Sequence, residues 1–138
     1  MKLQKATKFA LFAVLELARD TSRQLSATDI ADLYGISTHH LAKVLRDLGR
    51  AGLVDSVRGV GGGYRFSANA RRTTLMDVIC IFEDISSDQR QAGDVGEKTD
   101  IGHALQMVLG EIDGIAKATL SAITIDTLLK TMRWHQDQ

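Results

Sequence analysis

Two helical segments with a tight glycine-containing joint, a hairpin pattern around a glycine run and a heptad-spaced apolar segment near the C-terminus together predict the fold class. It is a mostly α-helical winged helix-turn-helix, with three helices and a two-stranded wing, followed by a long C-terminal helix built for dimerisation. The expected division is 1–72 for the winged unit and 73–138 for a helical dimerisation and sensor region. Proline is absent, so helix ends have to be marked by caps and glycines.

Residues 6–18 are apolar nearly all round, the pattern of a helix buried on several sides. Ser26-Ala27-Thr28-Asp29 is a start pattern in which Ser26 caps and Asp29 favours the positive helix end. Ile30, Ala31 and Leu33 supply a short apolar face, and Gly35 is a natural stop. Ser37 opens the next helix. There Leu41, Val44, Leu45 and Leu48 recur at helical spacing until Gly52.

Leu53–Val57 and Tyr64-Arg65-Phe66 read as strands around Arg58-Gly59-Val60-Gly61-Gly62-Gly63. Such a glycine density suits positive φ and predicts a hairpin with a mobile, basic tip. Thr74-x-x-Asp77 starts a short helix with Leu75, Val78, Ile79 and Phe82 inward, and the polar residues 86–99 read as a loop. Beyond it, Ile101, Leu105, Val108, Ile112, Ile115, Thr119 and Ala122 alternate at heptad a and d positions. A seam this narrow suits a partner helix better than packing on the chain's own first helix. Leu128 and Leu129 are expected to dock a final short helix.

The 138 residues are 44% hydrophobic and 25% charged, ordinary for a globular protein in water. No apolar run reaches the roughly 20 residues that span a bilayer, so no membrane partner is expected. The early apolar stretch carries Glu16 and Arg19 and lacks a cleavage pattern for secretion. A single cysteine, Cys80, excludes an intramolecular disulfide and fits a reducing cytoplasm. The formal charge is zero but unevenly spread: residues 1–72 hold 12 Lys/Arg against 6 Asp/Glu, and 73–138 hold 5 against 11. The basic half is the one suited to meet a polyanion.

On the helix after Ser37, a wheel with Leu41 at zero puts the leucines and Val44 on one side and His39, Lys43, Arg46 and Arg50 at about 140–200°. Lys43, Arg46 and Arg50 can pair with phosphates or with guanine edges, and His39 lies in the first turn, which enters the major groove in such motifs. Thr28, Ser37 and Thr38 offer hydroxyls beside helix N-termini that can hold phosphates. Arg58 and Arg65 flank the glycine run, and arginine on a thin loop suits a narrow minor groove. A nucleotide-binding loop would need a Lys-Ser/Thr pair or a following helix, and neither is present. No catalytic grouping stands out, so no enzyme is expected. The function indicated is a sequence-specific DNA-binding regulator acting as a homodimer. The alternative is a winged-helix protein-interaction module, which would call for an apolar or acidic outer face on residues 38–50.

Ile36-Ser37-x-x-x-Leu41, Gly52-Leu53-Val54-x-Ser56-Val57-Arg58-Gly59-x-Gly61-Gly62-Gly63-Tyr64 and Thr74-x-x-Asp77-Val78 resemble the IscR/NsrR family of bacterial repressors, over the chain to about residue 130. The resemblance implies a homodimer with crossed long helices, palindromic operators, and roles in iron–sulphur, nitric-oxide or cysteine metabolism. It implies DNA contacts at Ser37, His39, His40 and Lys43, and on the wing at Arg58 and the following Gly61, Gly62 and Tyr64. Two departures stand out. Iron–sulphur members carry three cysteines where residues 84–105 here have none, and Ala42 stands where some members have a glutamate that screens base choice. Three versions of the regulator stay open: one without cofactor that senses a metabolite or partner protein, one holding an iron–sulphur cluster through unusual ligands such as Cys80 and His103, and a thiol sensor at Cys80.

Overall fold

The computed structural model describes residues 2–85, 96 and 98–137. Among them the chain runs α1 (Lys5–Ala18), α2 (Ala27–Tyr34), α3 (Thr38–Arg50), β1 (Val54–Val57), β2 (Gly63–Phe66), α4 (Leu75–Phe82), α5 (Asp100–Ala122) and α6 (Ile125–Gln136). The expected loop over 86–99 falls mostly outside these residues. What is described of it ends in Thr99, whose hydroxyl caps α5 by accepting from the Gly102 N–H at 3.0 Å.

The caps sit where the sequence places them. Ser26 accepts from the Asp29 N–H at 3.0 Å, while Asp29 accepts from the Ser26 N–H at 3.0 Å. Those bonds from Ser26 hold the Asp29 carboxyl below its ordinary range. Thr74 and Asp77 repeat the arrangement at α4. Gly35, at φ 65°, ends α2 in the left-handed region that glycine enters without steric cost. With the stop and the Ser37 cap two residues apart, α2 has to turn sharply into α3.

The core lies between α1, α3 and the hairpin. Val14, Leu17, Ile30, Leu41, Leu45 and Leu48 are fully buried, so α3 spends its leucine stripe on a core shared with α1, α2, β1 and α4. The strands pair antiparallel, with Val54 opposite Phe66 and Asp55 opposite Arg65. Val54 and Phe66 face the core and Asp55 and Arg65 face solvent, the period-two alternation of a half-buried hairpin. A third strand-like segment joins it. Leu25 and Tyr64 exchange backbone hydrogen bonds of 3.0 and 2.7 Å. This clamps the wing to the start of α2, and only a glycine fits at 63, because a Cβ there would lie 2.5 Å from the Leu25 carbonyl oxygen.

The same core crosses the expected boundary at residue 72, since Val78 of α4 and Ile125 and Leu129 of α6 belong to it. Backbone bonds of 2.9 Å from Leu75 to Ile123 and from Ile125 to Thr73 fasten the starts of α4 and α6 together. The terminal helix is therefore a 12-residue element anchored on α1, longer than the short helix expected.

The long helix behaves differently. None of the 23 residues of α5 is buried. Among the described residues the element it packs against most is α4, and Ala116 and Leu120 are half-buried.

Candidate nucleic-acid interface

The outward face of α3 is built by subtraction. Once Leu41, Val44, Leu45 and Leu48 are spent on the core, Thr38, His39, Lys43, Arg46 and Arg50 can point only to solvent, and all five are exposed. Arg50 lies 3.8 Å from the Asp47 carboxylate, a loose surface contact that leaves the guanidinium free to exchange partners. Among the described residues, Lys43 and Arg46 have no carboxylate within ion-pair distance. Two unpaired cations and an imidazole beside an N-capped helix start form a face suited to a polyanion.

His40 behaves unlike its neighbour. Its ring meets Phe9 of α1 edge-on, with centroids 4.9 Å apart at 76°, and it is half-buried. It ties the first turn of α3 to α1. Ser37, whose hydroxyl accepts from the His40 N–H at 3.3 Å, and Thr28 on the first turn of α2 are both exposed. Ala42 is half-buried.

In the wing, Arg58 and Arg65 are exposed, and Tyr64 turns partly inward against the core. A turn closes the tip: the Gly62 N–H donates to the Gly59 carbonyl at 2.9 Å. Gly61 takes φ 76°, as the third position of a type II turn requires. A Cβ at Gly62 would come within 2.4 Å of the Val57 carbonyl oxygen. The hairpin itself thus demands glycine at both positions. Charge-based reasoning passes over the one residue that protrudes here, Val60.

Beneath the helix-turn-helix lies a polar network that the sequence did not reveal. Glu16 is buried. It accepts from the Tyr34 hydroxyl at 2.5 Å, Arg23 at 2.9 Å and Arg19 at 3.3 Å. Burial pushes the Glu16 carboxyl up, but the bonds from Tyr34 and Arg23 and the charge of Arg19 outweigh it, and the net shift is downward. Burial and the bond to Glu16 push the Tyr34 phenol up to about 12. Tyr34 also stacks on Phe12, with centroids 5.0 Å apart. The network pins the end of α2 to α1, which fixes where α3 begins. Glu16 and Arg19 are one helical turn apart, but Arg23 and Tyr34 come from separate elements, so no local spacing announces them.

The predicted seam is on the surface. Ile101, Leu105, Val108, Ile112 and Ile115 are each between 54% and 71% exposed. A cavity of about 300 Å³ between α4, α5 and the N-terminal residues adjoins it, with Leu3, Ile79, Leu109 and Ile112 among its walls.

Residues 3–131 match the Rrf2 family, described as an iron-dependent transcriptional regulator. The chain belongs to the Rrf2 family. It is 54% identical over 132 residues, 96% of this chain and 83% of the relative, to a protein of Rhodopseudomonas palustris named as the HTH-type transcriptional regulator BadM. It is 32% identical to protein aau3 of Rhizobium meliloti, over 94% of this chain and 86% of that one. Among solved structures it is similar to IscR of T. potens, with TM-score 0.75 and 25% identity over 96% of this chain and 88% of that one. It is also similar to CymR, the global cysteine regulator of B. subtilis, with TM-score 0.70 and 25% identity over 95% and 98%. The protein is thus an Rrf2 transcriptional regulator with a winged-helix fold, and not an enzyme.

Iron dependence, which the Rrf2 description carries, meets a poor donor set here. Conventional iron–sulphur clusters are held by several thiolates. This chain has one cysteine, exposed on α4, and His103 is exposed on α5. Among the described residues no three His, Cys, Asp or Glu side chains converge as a metal site. The residues present do not fit a conventional cluster. Among the described residues, no helix is long and apolar enough to cross a membrane.

Proposed function

We propose that this Rrf2 regulator is a homodimeric repressor that binds a palindromic operator in double-stranded DNA. Each α3 lies in a major groove and each wing in the adjacent minor groove. The observation that carries the reading is the outward face of α3, where His39, Lys43, Arg46 and Arg50 stand exposed and only Arg50 has an acid near it, Asp47 to one side at 3.8 Å. A winged-helix module for protein binding would want that face apolar or acidic, and it is neither.

Dimerisation is supported by α5, whose apolar seam has no cover among the described residues. An antiparallel or crossed pair of such helices buries both seams and sets two α3 helices at a fixed spacing, as two half-sites require. A palindrome is the operator symmetry that a two-fold dimer reads. Because the donor set does not suit a conventional cluster, the input signal is read as a metabolite or partner protein.

A mobility-shift assay on the upstream region of the protein's own gene tests the reading. Lys43→Ala and Arg58→Ala should each weaken operator binding by about 1–3 kcal/mol, with smaller losses on random duplex, if they touch bases. Equal losses on both duplexes would make them phosphate clamps. A wild-type protein that shifts neither duplex would overturn the function. Anaerobic purification should yield a colourless, iron-free protein that still binds; a coloured, iron-bearing protein that loses its operator on iron removal would overturn the assignment of the signal.

A further inference from the structure

The tip of the wing carries a single side chain. Among residues 59–63 only Val60 is not glycine, and it is 111% exposed. The turn that presents it is closed by the Gly62–Gly59 hydrogen bond of 2.9 Å, so the residue stands on a narrow, hydrogen-bonded support. Single apolar residues on a surface are ordinary. A lone isopropyl group as the only projection of a thin hairpin, with Arg58 beside it, is different: it is the first group to meet whatever the wing enters.

An isopropyl group has no charge, donor or acceptor, and can read only shape. The minor groove, about 6 Å wide, presents acceptors at A·T pairs, to which G·C pairs add the guanine 2-amino group. That amino group is the protrusion an apolar probe would meet on the groove floor, and apolar side chains do enter this groove.

We propose that Val60 is a specificity-determining residue: seated in the minor groove, it accepts A·T pairs and rejects G·C pairs because the guanine 2-amino group takes the space of its methyl groups. The proposal rests on the DNA-binding reading above. It separates two roles within one wing. Arg58 answers to the potential of a narrow groove, and Val60 answers to one amino group.

Base analogues test it. The full-length protein selects a duplex from a random library, and hydroxyl-radical footprinting locates the step beneath the wing. At that step adenine is replaced by 2,6-diaminopurine, which adds the 2-amino group to an A·T pair. In a second duplex the step is made G·C, and in a third inosine·C, which lacks that group. Wild type should lose about ten-fold in affinity with diaminopurine and with G·C and recover it with inosine, a loss within the range for one mismatched pair. Val60→Gly should bind all of these duplexes alike, and Val60→Ala should fall between. Discrimination that persists in Val60→Gly, or is missing in wild type, overturns the proposal while leaving DNA binding intact. If no duplex is selected, the DNA-binding reading itself fails.

Discussion

The winged unit and the long helix spend their apolar residues in opposite ways. In α3 every aliphatic side chain of the stripe is buried, and the cations are left outside. In α5 the seam residues Ile101, Leu105, Val108, Ile112 and Ile115 are outside and no residue is buried. Both helices show clear periodicity in sequence, so periodicity alone does not say what a face packs against. The difference lies in supply. The winged unit closes its core with the help of Val78 of α4 and Ile125 and Leu129 of α6, whereas among the described residues the seam of α5 is left exposed.

The contrast can be broken from either side. Ile112→Asp should produce the largest effect, weakening self-association by at least about a thousand-fold, or 4 kcal/mol, as read by sedimentation. Melting of the winged unit should hardly change, because Ile112 is 58% exposed within the chain. Leu48→Ala should do the reverse. It should cost about 2–5 kcal/mol of folding stability by denaturant titration, with the association constant of the folded protein unaltered. Equal sensitivity of folding and association to both variants would erase the distinction between the two regions.

Smaller changes sharpen it within the winged unit. Tyr34→Phe removes the hydroxyl that Glu16 holds and should cost about 1–2 kcal/mol, loosening α2 without disturbing α5. The pH dependence has a definite sign. A carboxyl such as Glu16, whose value in the folded protein is depressed, stabilises the fold above its unfolded value and loses that contribution as pH falls through the folded one. The melting temperature of wild type should therefore drop more steeply on acidification than that of Glu16→Gln. Smallest of all, Ser37→Ala should remove about 1 kcal/mol as a lost N-cap, measured by thermal melting.

These regions also differ in how much of them could be read from residues alone. Ser26, Ser37, Thr74 and Gly35 act through bonds made within four residues, and each cap lies where local pattern puts it. The leucine stripe of α3 implies its cationic back, so His39, Lys43, Arg46 and Arg50 were legible as well. His40 was not, because its turn toward Phe9 depends on how α1 crosses α3. The Glu16 network and the Leu25–Tyr64 clamp join residues far apart in the chain and leave no periodic trace. Val60 was hidden by its neighbours: a run of glycines draws the eye to backbone freedom, and only the closed turn shows that one side chain is held at its apex.

Sedimentation equilibrium of the wild-type protein at micromolar concentration, in buffer without DNA, bears most directly on the division between a winged unit with a closed core and a long helix with an exposed seam. A single species of twice the 15.1 kDa chain mass is expected, turned into monomer by Ile112→Asp. A wild-type molecule that sediments at 15.1 kDa would contradict it, because the apolar seam of α5 would then have no partner copy to cover it.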